Sequence, residues 1–227
     1  MTQAKPSRPR AILFDWDNTL VDSWLCIQES YNRTFRHFGM AEWDMAETRA
    51  NVAKSLRDSF PSMFGDRWEE AREVFYRSFE DIHLSHLRPL PGAAAMLEEF
   101  VAHGIHLGVV SNKMGDYLRT EAEILGWTGH FGRLVGATDA AADKPDPAPV
   151  HLALGGVGIA PGPDVWFVGD SAVDLKCGVN SGCVPVLLRP EAPEPGEFAD
   201  CRPLYHLAGC GELAGLVREL AVPISGN

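Results

Sequence analysis

The chain has 227 residues, 45% of them hydrophobic, which suits a globular protein that buries a substantial core. Its 31 acidic residues exceed its 20 lysines and arginines, so a net charge of -11 argues against a general binder of nucleic acids or anionic membranes. Five cysteines without CxxC spacing indicate neither a zinc site nor a disulfide framework. Since no apolar run could span a membrane and the start MTQAKPSRPR lacks a secretory signal, we expect a cytoplasmic protein.

Apolar runs that are typical of buried strands alternate with helical stretches along most of the chain. The first run is AILF at residues 11–14, and four more follow at residues 106–111, 133–136, 164–169 and 184–188. The segments between them have apolar residues at helical spacing, and most end near a glycine that can cap a helix. This alternation predicts an α/β fold with a doubly wound, parallel, five-stranded sheet of the Rossmann-like type.

One long segment interrupts the alternation. Residues 23–88 contain no convincing strand, but WLCIQESYNRTFRHFG and DRWEEAREVFYRSFEDIHLSHL have helical periodicity. The sequence RPLPG then provides a stiff return into the sheet. We therefore predict an α/β core formed by residues 1–22 and 89–227, with a small helical insert formed by residues 23–88.

Two acidic residues, Asp15 and Asp17, follow the first predicted strand directly. Two like charges about 4 Å apart repel by about 4 kcal/mol at an effective dielectric constant near 20, so such a pair needs a compensating cation. A polar turn that happens to be acidic is the alternative interpretation, because Asp and Asn are common turn residues. In doubly wound sheets, however, ligands bind outside the carboxyl ends of the strands, where this pair is expected to lie.

Further polar side chains are expected at the same edge of the sheet. Ser111 and Asn112 end the second predicted strand, Lys144 lies in the loop after the third, and Asp170 ends the fourth. Asp174 falls in the first turn of the next predicted helix, where an acid suits the positive end of the helix dipole. The sequence therefore predicts a cluster of acids around one lysine, together with a hydroxyl and an amide.

Four short motifs, DWDNT, SNK, KPDP and GDSAVD, resemble in their order and spacing the motifs of the haloacid dehalogenase superfamily. The similarity covers nearly the whole chain and is closest to the phosphoglycolate-phosphatase-like branch, which carries a helical cap after the first motif. Residues 23–88 are called the cap from here on. Asn18 stands where this branch commonly has Gly, and Asn is the next residue to tolerate a left-handed backbone. The resemblance implies a Mg²⁺-dependent phosphatase.

The resemblance also implies a role for each clustered residue. Asp15 would attack phosphorus to form an aspartyl phosphate, while Asp17 would protonate the leaving oxygen and later activate water. Lys144, the third catalytic residue, would balance the charge of Asp15 and of the phosphoryl oxygens. The implied Mg²⁺ site comprises Asp15, Asp17 through its main-chain carbonyl, Asp170 and Asp174, and the implied phosphate site comprises Ser111, Asn112 and Thr19.

Asp17 also narrows the reaction, because an acid at this position implies an oxygen leaving group. Dehalogenase relatives lack this acid, whereas mutases of the β-phosphoglucomutase type keep it, so phosphoryl transfer of that type is the closest alternative. A receiver-like phospho-aspartate switch fits poorly, because receivers are much shorter and have no helical insert. We expect a small phosphorylated metabolite as substrate, with phosphoglycolate as one candidate, and neither a nucleic acid nor a membrane as partner.

The cap carries three positive charges close together, in the stretch TRANVAKSLRDSF. If this stretch is helical from about Asn51, Lys54 and Arg57 share one face. That face is either solvated or turned to the core, where one cation would meet a second anionic group of the substrate when the cap closes. Because a guanidinium can bind a carboxylate bidentately, we predict Arg57 as the substrate-binding residue.

Overall fold

A computed structural model describes residues 8–52 and 55–221 of the chain. Most of the amino-terminal stretch and Lys54, on which two of the expectations above depend, lie outside the described residues. The described strands are β1 Ala11–Phe14, β2 Val21–Asp22, β3 Arg88–Pro89, β4 His106–Met114, β5 Arg133–Ala137, β6 Val165–Gly169, β7 Val184–Leu188 and β8 Tyr205–Leu207. The described α-helices are α1 Trp24–Phe38, α2 Met45–Asn51, α3 Leu56–Phe64, α4 Trp68–His86, α5 Ala93–Ala102, α6 Gly115–Ile124, α7 Ala148–Ala153, α8 Ala172–Asn180 and α9 Cys210–Ala221.

Six of these strands form one parallel sheet in the order β5-β4-β1-β6-β7-β8. All five predicted strands are present, but the predicted number of strands is wrong by one. The additional strand, β8, pairs with β7 after a proline-rich loop. Its three residues are too few to show the alternation by which a strand is identified in a sequence.

Helices cover both faces of the sheet, as the doubly wound α/β prediction requires. Successive side chains of a strand point to opposite faces, and in β1 both faces are buried. Ile12 and Phe14 belong to a large apolar cluster that includes residues of α5, α6 and α9. Ala11 and Leu13 belong to a second cluster, with residues of α7 and α8. The apolar run AILF is therefore explained by burial on both faces of a central strand.

The cap segment is helical between β2 and β3, from α1 to α4. Its own apolar cluster is rich in aromatic side chains and includes Tyr31, Phe35, Phe60, Phe75 and Phe79. At the two ends of the segment, β2 and β3 form a short antiparallel pair. The division of the chain at residues 22 and 89 stays a prediction, and this separate cluster supports it.

The order of the strands determines where polar side chains meet. The central strand β1 lies between β4 and β6, and Phe14 is in register with Val109 of β4 and Val168 of β6. The residues that follow these three positions therefore emerge side by side at the carboxyl edge of the sheet. All five cysteines are buried and free, and none of the described helices is long and apolar enough to cross a membrane.

Candidate active site

Three of the four predicted acidic side chains meet at the carboxyl edge of the sheet. Asp15 follows β1 directly, and its backbone N–H donates to the carbonyl of Val168 in β6 at 2.8 Å. Asp170 follows β6, and Asp174 lies in the first turn of α8. One carboxylate oxygen from each of Asp15, Asp170 and Asp174 lies within 4.8 Å of the other two.

The loop between β5 and α7 contains Lys144, which is a cation among these acids. The Nζ of Lys144 donates to Oδ1 of Asp15 and to Oδ1 of Asp174, at 2.7 Å in each case. The Lys144 side chain is 2% exposed. Burial opposes its charge, but the two carboxylates outweigh burial and raise the pKa of Lys144 above its ordinary value. Lys144 is therefore a buried ammonium held between Asp15 and Asp174.

One lysine does not neutralise three acids, and the acid pKa values reflect this excess. Burial, opposed by Lys144 but reinforced by Asp174 and Asp17, raises the pKa of Asp15 to about 7. Burial and the neighbouring carboxylates of Asp174 and Asp15 raise the pKa of Asp170 well above its ordinary value. A cation placed among these oxygens would reverse both shifts, because it favours the ionised carboxylates.

Each oxygen of the Asp174 carboxylate has a partner: Oδ1 accepts from Lys144, and Oδ2 accepts from Ser171. Its Oδ2 accepts hydrogen bonds from the backbone N–H of Ser171 at 3.1 Å and from the Ser171 hydroxyl at 2.6 Å, which completes a capping box at the start of α8. Gly169 allows this close approach, since a Cβ at that position would lie 2.3 Å from the Cβ of Asp174. Asp174 therefore orients Lys144 while it caps the helix.

The donor set suits a hard divalent cation such as Mg²⁺, which prefers a few carboxylate oxygens with other oxygen ligands. Asp15 and Asp170 offer carboxylates, and Asp174 borders them. The Asp17 side chain does not belong to this group, and the role of its main-chain carbonyl as a metal ligand stays a prediction. The surplus of buried negative charge is the observation that makes the residues fit such an ion.

The Asp17 carboxylate lies in different surroundings. Its Oδ1 accepts a hydrogen bond from the Ser23 hydroxyl at 2.5 Å and lies 2.7 Å from the Nζ of Lys113. The side chain is 17% exposed. Among the described residues, its Oδ2 has no hydrogen-bond partner. Asn18, the next residue, has a φ of 61°, the left-handed backbone that the sequence suggested for this position.

The three predicted phosphate-binding residues differ in which of their hydrogen-bonding atoms are already paired. Ser111 is buried in β4, and its hydroxyl oxygen accepts a hydrogen bond from the Lys113 N–H at 3.1 Å. The Asn112 side chain is already engaged: its Nδ2 donates to the Lys144 carbonyl, and its Oδ1 accepts from the Lys144 N–H. The main-chain N–H and the second N–H of Nδ2 are the donors of Asn112 that these two bonds do not use. Thr19 is fully buried, and its hydroxyl has no partner in residues 8–52 and 55–221.

A cleft of about 960 Å³ lies over the acid cluster and is lined by both cap and core residues. Arg49 lines it, stacks over Trp24 at 5.1 Å and lies 3.6 Å from Glu191 in the loop after β7. Arg57 is absent from the described lining. Its Nε lies 2.6 Å from Oδ2 of Asp143, whose side chain is only 2% exposed.

The structure therefore does not support Arg57 as a substrate contact. The reason is a break in the expected helix: α2 ends at Asn51 and α3 begins at Leu56. Arg57 consequently lies in a different helix from Arg49 and pairs with the buried carboxylate that precedes Lys144. Among the cap residues that the structure describes, Arg49 is the cation that lines the cleft.

Sequence reasoning missed a buried ionic group behind Asp17. Glu121 accepts from the Nζ of Lys113 at 2.6 Å and from the indole N–H of Trp16 at 2.7 Å. Burial favours its neutral form, but Lys113, His83 and Trp16 outweigh burial and lower the pKa of Glu121. The signal was a glutamate beside Leu118 and Ala122 on the apolar face of α6, a position where a charge is unusual.

Comparisons with known proteins identify the family of the chain. The family described as haloacid dehalogenase-like hydrolase matches residues 12–187. A phosphoglycolate phosphatase of Aquifex aeolicus is 30% identical over 76% of this chain and 81% of its own length. A pyrophosphatase, PpaX, of Bacillus velezensis is 30% identical over 77% of this chain and 81% of its own length.

Solved structures agree in fold. A haloacid dehalogenase-like hydrolase of Streptococcus pneumoniae has a TM-score of 0.79 at 22% identity and covers 91% of this chain and 97% of its own. A predicted phosphatase of Clostridium acetobutylicum has a TM-score of 0.82 at 20% identity and covers 94% of this chain and 100% of its own. The chain therefore belongs to the haloacid dehalogenase-like hydrolase family and is one of its phosphatases.

Proposed function

We propose that the chain is a Mg²⁺-dependent phosphomonoesterase that works through an aspartyl phosphate on Asp15. The observation that carries this proposal is the pairing of Asp15 with the buried Lys144 inside a surplus of carboxylates. A phosphate monoester resists attack because nucleophile and target are both anionic. A carboxylate beside a fixed ammonium and a cation site answers that difficulty.

The reaction has two displacements at phosphorus. In the first, a carboxylate oxygen of Asp15 bonds to phosphorus, the bond from phosphorus to the ester oxygen breaks, and Asp17 gives its proton to the departing oxygen. In the second, Asp17 takes a proton from water, whose oxygen bonds to phosphorus as the bond to Asp15 breaks. Inorganic phosphate leaves, and both aspartates return to their initial states.

The other clustered residues support these displacements. Lys144 compensates charge on Asp15 and on the phosphoryl oxygens, and the Asn112 side chain holds the Lys144 main chain on both sides. Ser111, Thr19 and the main chain of Asn112 are proposed donors to the phosphoryl group. Bound Mg²⁺, held by Asp15, Asp170 and the Asp17 carbonyl and bordered by Asp174, would supply positive charge at the phosphoryl oxygens.

The proposed substrate is a small phosphorylated metabolite that carries a second anionic group. Arg49 lines the same cleft as Asp15 and Asp170, and its partner Glu191 is at 3.6 Å, a loose ion pair on the surface. A substrate carboxylate that accepts two hydrogen bonds from the Arg49 guanidinium would bind it more favourably than the loosely paired Glu191 does. Relatives named phosphoglycolate phosphatase are compatible with such a substrate.

A phosphate-release screen tests the proposal. The purified chain is incubated with phosphorylated metabolites, including phosphoglycolate, and inorganic pyrophosphate, first with Mg²⁺ and then with a chelator. We expect Mg²⁺-dependent phosphate release from at least one carboxylate-bearing monoester. Conversion of a sugar phosphate to its isomer without free phosphate would instead support the mutase alternative, which uses the same aspartates.

Arg49 and Arg57 form a matched pair of cap variants. We expect Arg49→Ala to lower kcat/KM for the preferred carboxylate-bearing substrate by about 10- to 100-fold relative to its effect on 4-nitrophenyl phosphate, since a charge-assisted hydrogen bond contributes about 1.5–3 kcal/mol. Arg57→Ala removes only the pairing with Asp143, so its effect should be the same on both esters. The measurement is the ratio of kcat/KM on the two esters for each variant. A substrate-selective loss in Arg57→Ala, and not in Arg49→Ala, would indicate Arg57 as the substrate contact.

A further inference from the structure

A buried chain of polar side chains runs from Asp17 away from the acid cluster. The Nζ of Lys113 lies 2.7 Å from Oδ1 of Asp17 and donates to Oε2 of Glu121 at 2.6 Å. The Lys113 side chain is 5% exposed and the Glu121 side chain 2%. Two carboxylates, one of them on the active-site cleft, therefore share one buried ammonium.

The chain continues into the cap. The other oxygen of Glu121, Oε1, is 2.8 Å from Nδ1 of His83, in the last turn of α4. The His83 ring stacks on Phe79 of the same helix with centroids 4.9 Å apart, and the Nζ of Lys113 lies 5.0 Å from the Phe79 ring centroid. Helix α4 leads out of the cap, so this contact joins its returning end to the core helix α6.

A buried ion pair of this kind is poor as a source of stability, because removing two charges from water costs about as much as their attraction returns. The effect of these contacts on the orientation of the Asp17 carboxyl group is more direct. Oδ1 of Asp17 meets both Lys113 and the Ser23 hydroxyl, which limits rotation of the carboxyl group. The remaining oxygen, Oδ2, is the one without a partner among the described residues, and it is therefore the oxygen available to the reaction.

We propose that Lys113, held in place by Glu121 and His83, is a positioning residue for Asp17, fixing its carboxyl group so that Oδ2 carries the transferred proton. This inference rests on the proposed function, in which Asp17 protonates the leaving oxygen. Through His83, the same contacts tie the orientation of Asp17 to the end of the cap helix α4.

The dependence of the rate on the leaving group tests this role. An alkoxide is strongly basic and needs the proton from Asp17, whereas 4-nitrophenolate departs far more easily without it. The measured quantity is kcat/KM, which reports the first displacement and not the hydrolysis of the aspartyl phosphate that both esters share. In Asp17→Asn, the loss of kcat/KM on an alkyl phosphate should exceed the loss on 4-nitrophenyl phosphate by about 10²-fold or more, within the usual contribution of a general acid. Lys113→Met should show the same selective loss, by tenfold or more, and Lys113→Arg should restore most of the rate on the alkyl ester.

Two further variants separate positioning from folding. Lys113→Met leaves Glu121 buried without its cation, so the double variant Lys113→Met with Glu121→Gln removes both charges and should show the same selective loss in a folded protein. His83→Phe keeps a ring against Phe79 but loses the contact with Glu121, and it should show a smaller loss with the same selectivity. Leu213→Ala in α9, a buried core position, is the control for destabilisation and should affect both esters equally.

The outcomes are distinguishable. Equal losses on both esters in folded Lys113→Met and in the double variant, beside a selective loss in Asp17→Asn, would overturn the positioning role and leave the proposed function in place. No selective loss in Asp17→Asn would overturn the acid role of Asp17, and the positioning proposal with it. A selective loss that Lys113→Arg reverses supports the proposal.

Discussion

Asp15→Asn should abolish phosphatase turnover while the protein stays folded. The amide has the shape of the carboxylate and its oxygen can still accept the hydrogen bond from Lys144, but it does not attack phosphorus. We expect kcat to fall by about 10⁴-fold or more, the scale on which removal of a covalent nucleophile acts. The measurement is phosphate release by the purified variant with saturating Mg²⁺ and substrate.

We also expect Asp15→Asn to leave the thermal stability of the metal-free protein unchanged or higher. In the metal-free protein the pKa of Asp15 is raised to about 7, so above that pH folding must overcome the cost of its ionised form. Asparagine removes this cost, and metal-free Asp15→Asn at pH 8 should unfold at the same temperature as the unsubstituted chain or higher.

The control for Asp15→Asn is Asp164→Asn. Asp164 lies just before β6, at the opposite edge of the sheet, where it pairs with Arg10 at 3.2 Å. Asp164→Asn should keep its activity. An Asp15→Asn protein that folds and hydrolyses its substrate at near the normal rate would remove Asp15 as the nucleophile.

Much of the fold could be predicted from the sequence because its signals are local. The run AILF is apolar at every position, which is typical of a strand buried on both faces of a parallel sheet. The residues that follow parallel strands lie at one edge of the sheet, so the sequence alone predicts that Asp15 and Asp170 lie close together. The three-residue strand β8 has no comparable local signal, since its pairing with β7 creates it.

The pairings across the cap could not be predicted, because they depend on where helices break and how they dock. Lys54 and Arg57 share a helical face only if the stretch from Asn51 is one helix, whereas the described helices end at Asn51 and restart at Leu56. Likewise, Glu121 is separated from His83 by 38 positions in sequence. A charge on an apolar helix face can be noticed in a sequence, but its partner cannot be assigned there.

Removal of Mg²⁺ is the second change from which we expect a large effect. Activity after exhaustive chelation should fall by about 10²-fold or more, because a cation at a phosphoryl group contributes several kcal/mol of charge stabilisation. Readdition of Mg²⁺ should restore the activity. Activity that persists unchanged through chelation would show that the acid cluster holds no catalytic cation.

The stabilisation that Mg²⁺ gives to the folded protein should increase with pH. In the metal-free protein, burial and mutual repulsion raise the pKa of Asp15 to about 7 and raise that of Asp170 well above its ordinary value. From about pH 4 to pH 7 the folded state therefore binds more protons than the unfolded state, and these two groups make the metal-free protein less stable as pH rises. Mg²⁺ needs the ionised carboxylates and must displace those protons, so it binds more tightly at higher pH.

At one fixed Mg²⁺ concentration, the rise in Tm on adding the ion should be larger at pH 8 than at pH 6, and Asp170→Asn should reduce it at both. A rise in Tm that is independent of pH, or that survives in Asp170→Asn, would place the ion away from this cluster.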